Sequence, residues 1–370
     1  MKLYEKELGE FVENISDTEK INKDEVILVN TSDVENGKVI NHNYVKNSNL
    51  KGQFKKRFKR NDILYSEIRP KNKRFAYIDF DSEDYIASTK LMVLRNKGNI
   101  DNEYLYQILK SDYVINYLQH IAEARSGTFP QITFNELART KIMIPDQENQ
   151  KKIAYILNSI DKKIKLNTHT NNNLYEIGLS LIEEEYNSIN KTEKLQNIIK
   201  FIKGKKPVKI VKYKDKNYDK YLTIACLNYQ ELNYANKEKM ILAQNDILMV
   251  MDGASSGEVY YSDCGIVGST FARIDIINKT FTKEYMFFIL KKYTDLIKTK
   301  NTGSAIPHAD KAFINLLSVP ILSIENQKKY CTILKKIQQN EHKIRNLMII
   351  RDTLLPKLMN GEIDLDKIEI

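Results

Sequence analysis

The 370-residue chain has no tryptophan, three cysteines and five histidines. Cys226, Cys264 and Cys331 lie far apart with no CxxC spacing, which excludes a disulfide framework and the usual zinc-ligand patterns. The longest apolar stretches, such as YMFFIL at 285–290, fall far short of the ~20 residues that span a bilayer. The opening residues, MKLYEKELGEF, are charged throughout and lack the apolar segment of a secretory signal. These absences predict a soluble protein of the reducing cytoplasm with no membrane partner and no metal site.

Catalytic motifs are equally scarce. There is no P-loop, no GxGxxG after a strand, no HExxH and no Asn/Asp-Pro-Pro-aromatic sequence of the amino-methyltransferase kind. The stretch DGASSGEVYY at 252–261 has the glycines of a phosphate cradle, but no lysine or helix-opening hydroxyl follows. Asp79/Asp81 and Glu183/Glu184/Glu185 read as turns and solvated helix surface, and Cys226 and Cys264 as core. No catalytic residue and no cofactor are expected. The chain reads as a recognition protein that lends its specificity to something else.

What the chain does have is positive charge. Lys and Arg number 58 against 48 Asp and Glu, a net +10 with a pI near 9.1, which points to a polyanionic partner. From Lys46 to Arg74 there are eleven basic residues against two acidic ones, a net +9. From Ile198 to Lys220 there are nine lysines against two aspartates, a net +7, so the remainder carries −6. Either patch alone also fits a solvated face. Two patches at corresponding places in two halves are harder to explain that way.

The halves correspond because the sequence repeats. NDILYS (61–66) returns as NDILMV (245–250), and IASTKLMVLR (86–95) as VGSTFARIDI (267–276). EYLYQILKS (103–111) answers EYMFFILKK (284–292), and SGTFPQITFNEL (126–137) answers TGSAIPHADKAF (302–313). KIMIPDQENQKKIAYIL (141–157) answers SVPILSIENQKKYCTIL (318–334). The order is kept throughout, so the chain contains a duplicated unit and not a short-period solenoid. Length alone, at roughly 150 residues per domain, allows two or three domains.

Each unit combines strand-like segments with a helix and then a long helical stretch. The strand segments are EVILVN, DILYSEI, FAYIDF and KLMVLR in the first unit and YLTIACL, DILMVM, GEVYY and FARIDII in the second. The helices fall at 103–123 and 284–300. After Pro145, apolar residues Ile153, Leu157, Ile160, Ile164, Leu174 and Leu181 line one face. After Pro320 the stripe is Tyr330, Leu334, Ile337, Ile344, Leu347, Leu354 and Leu358, ending at Gly361. Helices of about 35 to 38 residues are predicted, roughly 50 to 57 Å long. Two ordinary core helices would also carry such stripes, but their length favours an antiparallel coiled coil holding two globular parts apart. Asn167 and Asn171 interrupt the first stripe, either fixing register at the seam or marking a bend.

Together these features resemble the specificity subunit of type I DNA restriction-modification systems, over nearly the whole chain. The resemblance rests on the NDIL strand followed by Ile68, Arg69 and Pro70, and on the Gly127-Thr128 and Gly303-Ser304 turns followed by Pro130 and Pro307. Gln150 and Gln327 opening the helices, and LLPKLMNGEI at 354–363, complete it. It departs in having Asn61 and Asn245 where the family has glycine, and in a near-absent N-terminal helical segment, which leaves open how the circular arrangement closes. The implied fold is α+β: two similar α/β target-recognition domains separated by two long antiparallel coiled-coil helices, a pseudo-twofold internal repeat. The implied domains are 1–145 and 189–321 for recognition, with helices in 146–188 and in 322–370 with its tail.

The implied function is recognition of a two-part double-stranded DNA sequence, without catalysis. Two DNA adenine methyltransferase (modification) subunits and restriction/translocase subunits would be the protein partners. Half-sites one helical turn apart lie ~34 Å centre to centre, a span helices of this length can set. Lysines and arginines would hold phosphates while a few polar side chains read base edges. In the first unit the candidates for DNA contact are Lys51, Lys55, Lys56, Arg57, Arg60, Arg69, Lys71, Lys73, Arg74, Thr128 and Gln131. In the second they are Lys203, Lys205, Lys206, Lys209, Ser255, Ser256 and His308. Turn chemistry also accounts for Ser255 and Ser256. Rival readings are a coiled-coil scaffold whose basic patches bind RNA or anionic membrane, and a nuclease or methyltransferase with a degenerate site.

Overall fold

The computed structural model describes residues 2–365 apart from Asn36, Asn49, Lys51, Gln230, Ser304, Ala305 and Asp364. The chain divides into two compact units, Met1–Lys163 with Leu347–Ile370, and Ile164–Asn346. Both long helices, Gln147–Ser188 and Ile324–Met359, contribute a segment to each unit.

The first unit is built on two four-stranded sheets. One is antiparallel, in the order Val12–Asn14, Leu91–Asn96, Ile63–Ser66, Phe75–Tyr77. The other runs Tyr44–Lys46, Glu25–Val29, Tyr85–Ser88, Phe54–Lys56, with its middle pair parallel. Both faces of the Ile63–Ser66 strand are buried, as its unbroken apolar run requires. Tyr65 and Ile63 pack with the helices, while Leu64 packs toward the second sheet with Val93 and Ala76.

The second unit repeats this plan. Its antiparallel sheet is ordered Ile199–Lys203, Phe271–Ile276, Ile247–Val250, Val259–Tyr261. A second sheet again contains one parallel pair, Tyr218–Leu222 with Gly265–Val267. Each unit also pairs its first strand with the strand preceding its long helix: Tyr4–Glu7 with Lys141–Ile144, and Thr192–Lys194 with Ser318–Pro320.

Two repeated motifs prove to be joints. The aspartate of each NDIL segment is buried and anchored: Asp62 accepts two bonds of 2.8 Å from Arg95 and one from the Lys59 amide, and Asp246 meets Lys283 and the Gln244 amide. The preceding Asn61 and Asn245 have φ of 73° and 51°, and asparagine tolerates this left-handed region better than other side chains. Asparagine therefore does here what the family's glycine would do. Gln150 and Gln327, both buried, tie the starts of the long helices to the N-caps of helices Asn102–Leu109 and Lys283–Lys292. Gln150 accepts from the Asp101 amide at 3.0 Å and Gln327 from the Thr282 amide at 2.7 Å, while each amide group donates to a carbonyl.

The long helices bury different parts of their stripes in different places. In the first unit, Ile153 and Leu157 join the core with Leu358, and Leu354 packs against it. In the second, Tyr330, Leu334 and Ile337 lie in the core with Leu174 and Leu181 against it. Ile344 is buried, and Ile160, Ile164 and Leu347 are half-buried. Asn171 is buried, donates to the Ile337 carbonyl and accepts from Asn340 at 2.9 Å. The NTHTNNN stretch is continuous helix and not a bend. Gly178 permits close packing, since a Cβ there would sit 2.2 Å from the Phe288 ring.

Several local expectations are corrected. The predicted helices each divide in two, into Asn102–Leu109 and Asp112–Arg125, and Lys283–Lys292 and Thr294–Thr299. In the first unit Ser111 restarts the helix by capping the Val114 amide. The YLTIACL strand stops at Leu222 because Thr223 caps a short helix, Ile224–Leu227. Cys264 is exposed and Cys226 half-buried. Glu185, read as solvated, is buried against Lys329.

Candidate nucleic-acid interface

In each unit the central NDIL strand ends in a turn that docks against the loop carrying the Gly-x-x-Pro sequence. In the first unit Ile68 bridges Gln131, the Arg69 amide donates to the Pro130 carbonyl at 3.1 Å, and the Ile132 amide to the Glu67 carbonyl at 2.9 Å. In the second, Asp252 bridges His308, the Gly253 amide donates to Pro307 at 2.9 Å, and the Ala309 amide to Met251 at 2.9 Å. The two frames superpose residue for residue in their hydrogen bonding. Ile68 corresponds to Asp252, Arg69 to Gly253 and Gln131 to His308.

The turn requires a left-handed residue at its second position. Gly253 supplies it with φ of 102°, whereas Arg69 adopts φ of 44° and carries a side chain there. That strain is of order 1 kcal/mol or more, held by the Pro130 bond and by the Asn72 amide donating to the Arg69 carbonyl at 2.8 Å. Arg69 Nη2 also reaches the Thr128 carbonyl at 3.2 Å. The structure therefore brings Arg69, Thr128 and Gln131 together. Lys71 and Lys73 are exposed on the following short helix and its cap, with Lys73 3.0 Å from Asp112, and Arg74 is half-buried.

Of the other basic candidates of the first unit, Lys55 and Lys56 lie on its second sheet. Lys55 is exposed on strand Phe54–Lys56, and Arg60 is exposed beyond it. Arg57 pairs with Glu19 at 3.0 Å. Lys56 is half-buried and donates to the Leu91 carbonyl at 2.8 Å. Burial draws its ammonium below the usual lysine range, with nearby Glu67 acting against that and Lys90 with it. Lys51 lies outside the described residues, as does Ser304 of the second turn.

In the second unit Lys203 ends strand Ile199–Lys203, and Lys205, Lys206 and Lys209 follow it, all exposed. Lys203 and His308 both meet Asp252, with His308 Nδ1 2.8 Å from Oδ1. Partial burial acts to raise the Asp252 carboxyl, but the bonds from Lys203 and His308 hold it below the usual range. These residues, with Thr302 and Lys311, line an open cleft of about 550 Å³. Ser255 is half-buried nearby. Ser256 is different: it is fully buried, and its hydroxyl lies 2.7 and 2.8 Å from the Gly253 and Pro307 carbonyls, which share its single proton. It is a strut of the turn, with no free face for a base.

Sequence reasoning missed two members of these clusters. Lys90 donates to Gln131 Oε1 at 2.9 Å and lies 3.5 Å from Glu67. No spacing distinguishes it from any other lysine before a strand. Asp252 had a signal, because extending the NDILYS and NDILMV match by two residues aligns it with Ile68.

The family model of the type I restriction modification DNA specificity domain matches residues 2–176 and again 187–348. The type I restriction enzyme HindI specificity subunit of Haemophilus influenzae is 43% identical over 178 residues, 48% of this chain and 39% of that protein. The MjaVIII specificity subunit of Methanocaldococcus jannaschii is 33% identical over 145 residues, 38% of this chain and 34% of that protein. The chain thus spans about two fifths or less of the length of these curated relatives. The crystal structure of a type I restriction-modification S subunit from M. genitalium has a TM-score of 0.56 at 18% identity, covering 97% of this chain and 96% of that one, a likeness of fold.

Proposed function

Because the chain belongs to the family of type I restriction modification DNA specificity domains, we propose that it is a non-catalytic subunit that recognises a two-part DNA sequence, one part with each unit. The observation that carries this reading is the duplicated turn-and-loop frame, built to one hydrogen-bonding plan and edged by cations in both units. Exposed Lys55, Arg60, Lys71, Lys205, Lys206 and Lys209 neutralise phosphates and set position. Arg69, Thr128, Gln131, Ser255 and His308 stand at the frames, where base edges are read. Recognition domains then occupy 1–145 and 189–321, with the long helices in 146–188 and 322–370 between and after them.

These helices pair antiparallel and set the spacing of the half-sites. Contacts inside the second unit support this, since Asn171 meets Asn340 and Glu185 meets Lys329, partners that fall as the first number rises. DNA adenine methyltransferase subunits, two per chain by the repeat, and restriction/translocase subunits are directed to the site.

The test is sequencing of modified bases in a host with and without this chain and its partner methyltransferase. One bipartite motif that vanishes with the chain is expected. Equal binding to all duplexes by the assembled complex, or RNA or anionic liposomes outcompeting duplex DNA, refutes the reading. Adding a heptad to each long helix at matched positions should lengthen the spacer and leave both half-sites unchanged.

A further inference from the structure

Gln131 and His308 share more than a position. Each makes one side-chain hydrogen bond to a partner whose chemistry runs in one direction only. Lys90, which meets Gln131 at 2.9 Å, is an ammonium and can only donate, so the atom facing it must be the Gln131 carbonyl oxygen. Asp252, which meets His308 at 2.8 Å, is held as a carboxylate by Lys203 as well and can only accept, so His308 Nδ1 must carry the proton. The amide flip and the imidazole tautomer are therefore fixed by their neighbours. What remains is the Gln131 amino group, a donor, and His308 Nε2, an acceptor in the uncharged form of the imidazole whose Nδ1 bears the proton. Neither atom has a hydrogen-bond partner among the described residues, and the His308 side chain is 49% exposed.

We infer that Gln131 and His308 are the matching base readers of the two half-sites and that they read with opposite polarity. His308 Nε2 accepts from an exocyclic amino group, on adenine N6 or cytosine N4. The Gln131 amino group donates to an acceptor, guanine O6, thymine O4 or a purine N7. Lys90 and Asp252 are positioning residues that set these polarities without touching a base. The same backbone frame can thus be given either polarity by the residue after the proline and its tether. This inference rests on the DNA-recognition reading above.

Two measurements on the complete complex with its methyltransferase subunits test it. First, the modified motif and relative binding are determined for wild type, Gln131→Ala and His308→Ala. Each variant should lose discrimination at one base pair of one half-site, roughly five-fold or more, with the other half-site unchanged. Second, that base pair is rebuilt with analogues lacking single groups. Removing the amino group at the His308 position should weaken wild type and leave His308→Ala unaffected. At the Gln131 position the same should hold for removal of the keto oxygen or N7. Asp252→Asn frees the imidazole tautomer and Lys90→Met frees the amide flip, so each should relax its own position alone.

Coupling of His308 to a keto group, or of Gln131 to an amino group, overturns the assigned polarity. Unchanged discrimination in both alanine variants, with the bipartite motif intact, overturns the inference but leaves the proposed function standing. Absence of any bipartite motif in the wild type is the failure of the proposed function itself.

Discussion

Glu341→Gln should stabilise the second unit by an amount that grows as pH rises from about 4.5 to about 7 and is level above. Glu341 lies on the second long helix. Around it are Tyr175 of the first long helix at 3.5 Å, Asp263, Tyr229, Lys291 and Arg345. Arg345 is already engaged, 2.7 Å from Asp263 and 4.9 Å from the Tyr229 ring centre. Burial, then repulsion from Asp263, pushes the Glu341 carboxyl from 4.5 up to about 7, against smaller opposing effects of Arg345, Tyr175 and Lys291. Between these values the folded state holds a proton that the unfolded state has released, so stability falls as pH rises from about 4.5 to 7 and is level above. At ~1.36 kcal/mol per pH unit the full cost is about 3 kcal/mol. Glutamine keeps the shape and the hydrogen-bonding capacity without the charge. In thermal unfolding followed by circular dichroism, the variant should gain about 3 kcal/mol more at pH 8.5 than at pH 4.5. For a unit of this size that is about 6 to 12 °C in the transition of the second unit. A variant-minus-wild-type difference that is the same at both pH values would refute the reasoning.

The buried Asn171–Asn340 pair should behave as a couple: replacing either with leucine strands the other and costs about 1 to 3 kcal/mol, whereas replacing both should recover part of that loss in a double-mutant cycle. Gln327→Ala removes the acceptor for the Thr282 amide and the donor to the Thr280 and Leu322 carbonyls, so denaturant unfolding should show a loss of roughly 2 to 4 kcal/mol. Asn245→Gly should be neutral or slightly stabilising, while Asn245→Ala should cost about 1 kcal/mol because φ is 51° there. Neutralising Lys205, Lys206 and Lys209 together should reduce the slope of log affinity against log salt by up to about 3, at ~0.9 per phosphate contact. A binding titration in which affinity drops but the slope does not would remove these lysines from the phosphate contacts.

Legibility followed the range of the interactions. The duplicated order of strands and helices was visible because the central strand of each unit is an unbroken apolar run and each long helix keeps an apolar stripe, and both signals are local in sequence. The joints were visible as repeated letters, but not as joints. That Gln150 and Gln327 tie the long helices to the N-caps of helices Asn102–Leu109 and Lys283–Lys292 depends on partners about 45 to 49 residues away. Where a local signal misled, a nearer hydrogen bond had won, as when Thr223 turned part of an apolar run into helix.

The interface divided along the same line. Sequence by itself determined the unit count, the basic stretches and the turns and proline loops that form the frames, because charge and turn residues declare themselves one at a time. It could not separate Ser256, buried as a strut, from Ser255 beside it, since both are serines in one turn. Nor could it join Lys90 to Gln131, 41 residues apart, or Asp252 to His308, 56 apart. Those pairings exist only once the strand and the proline loop are folded against each other. They decide which atom of each side chain is spent inside the protein and which is left for another molecule.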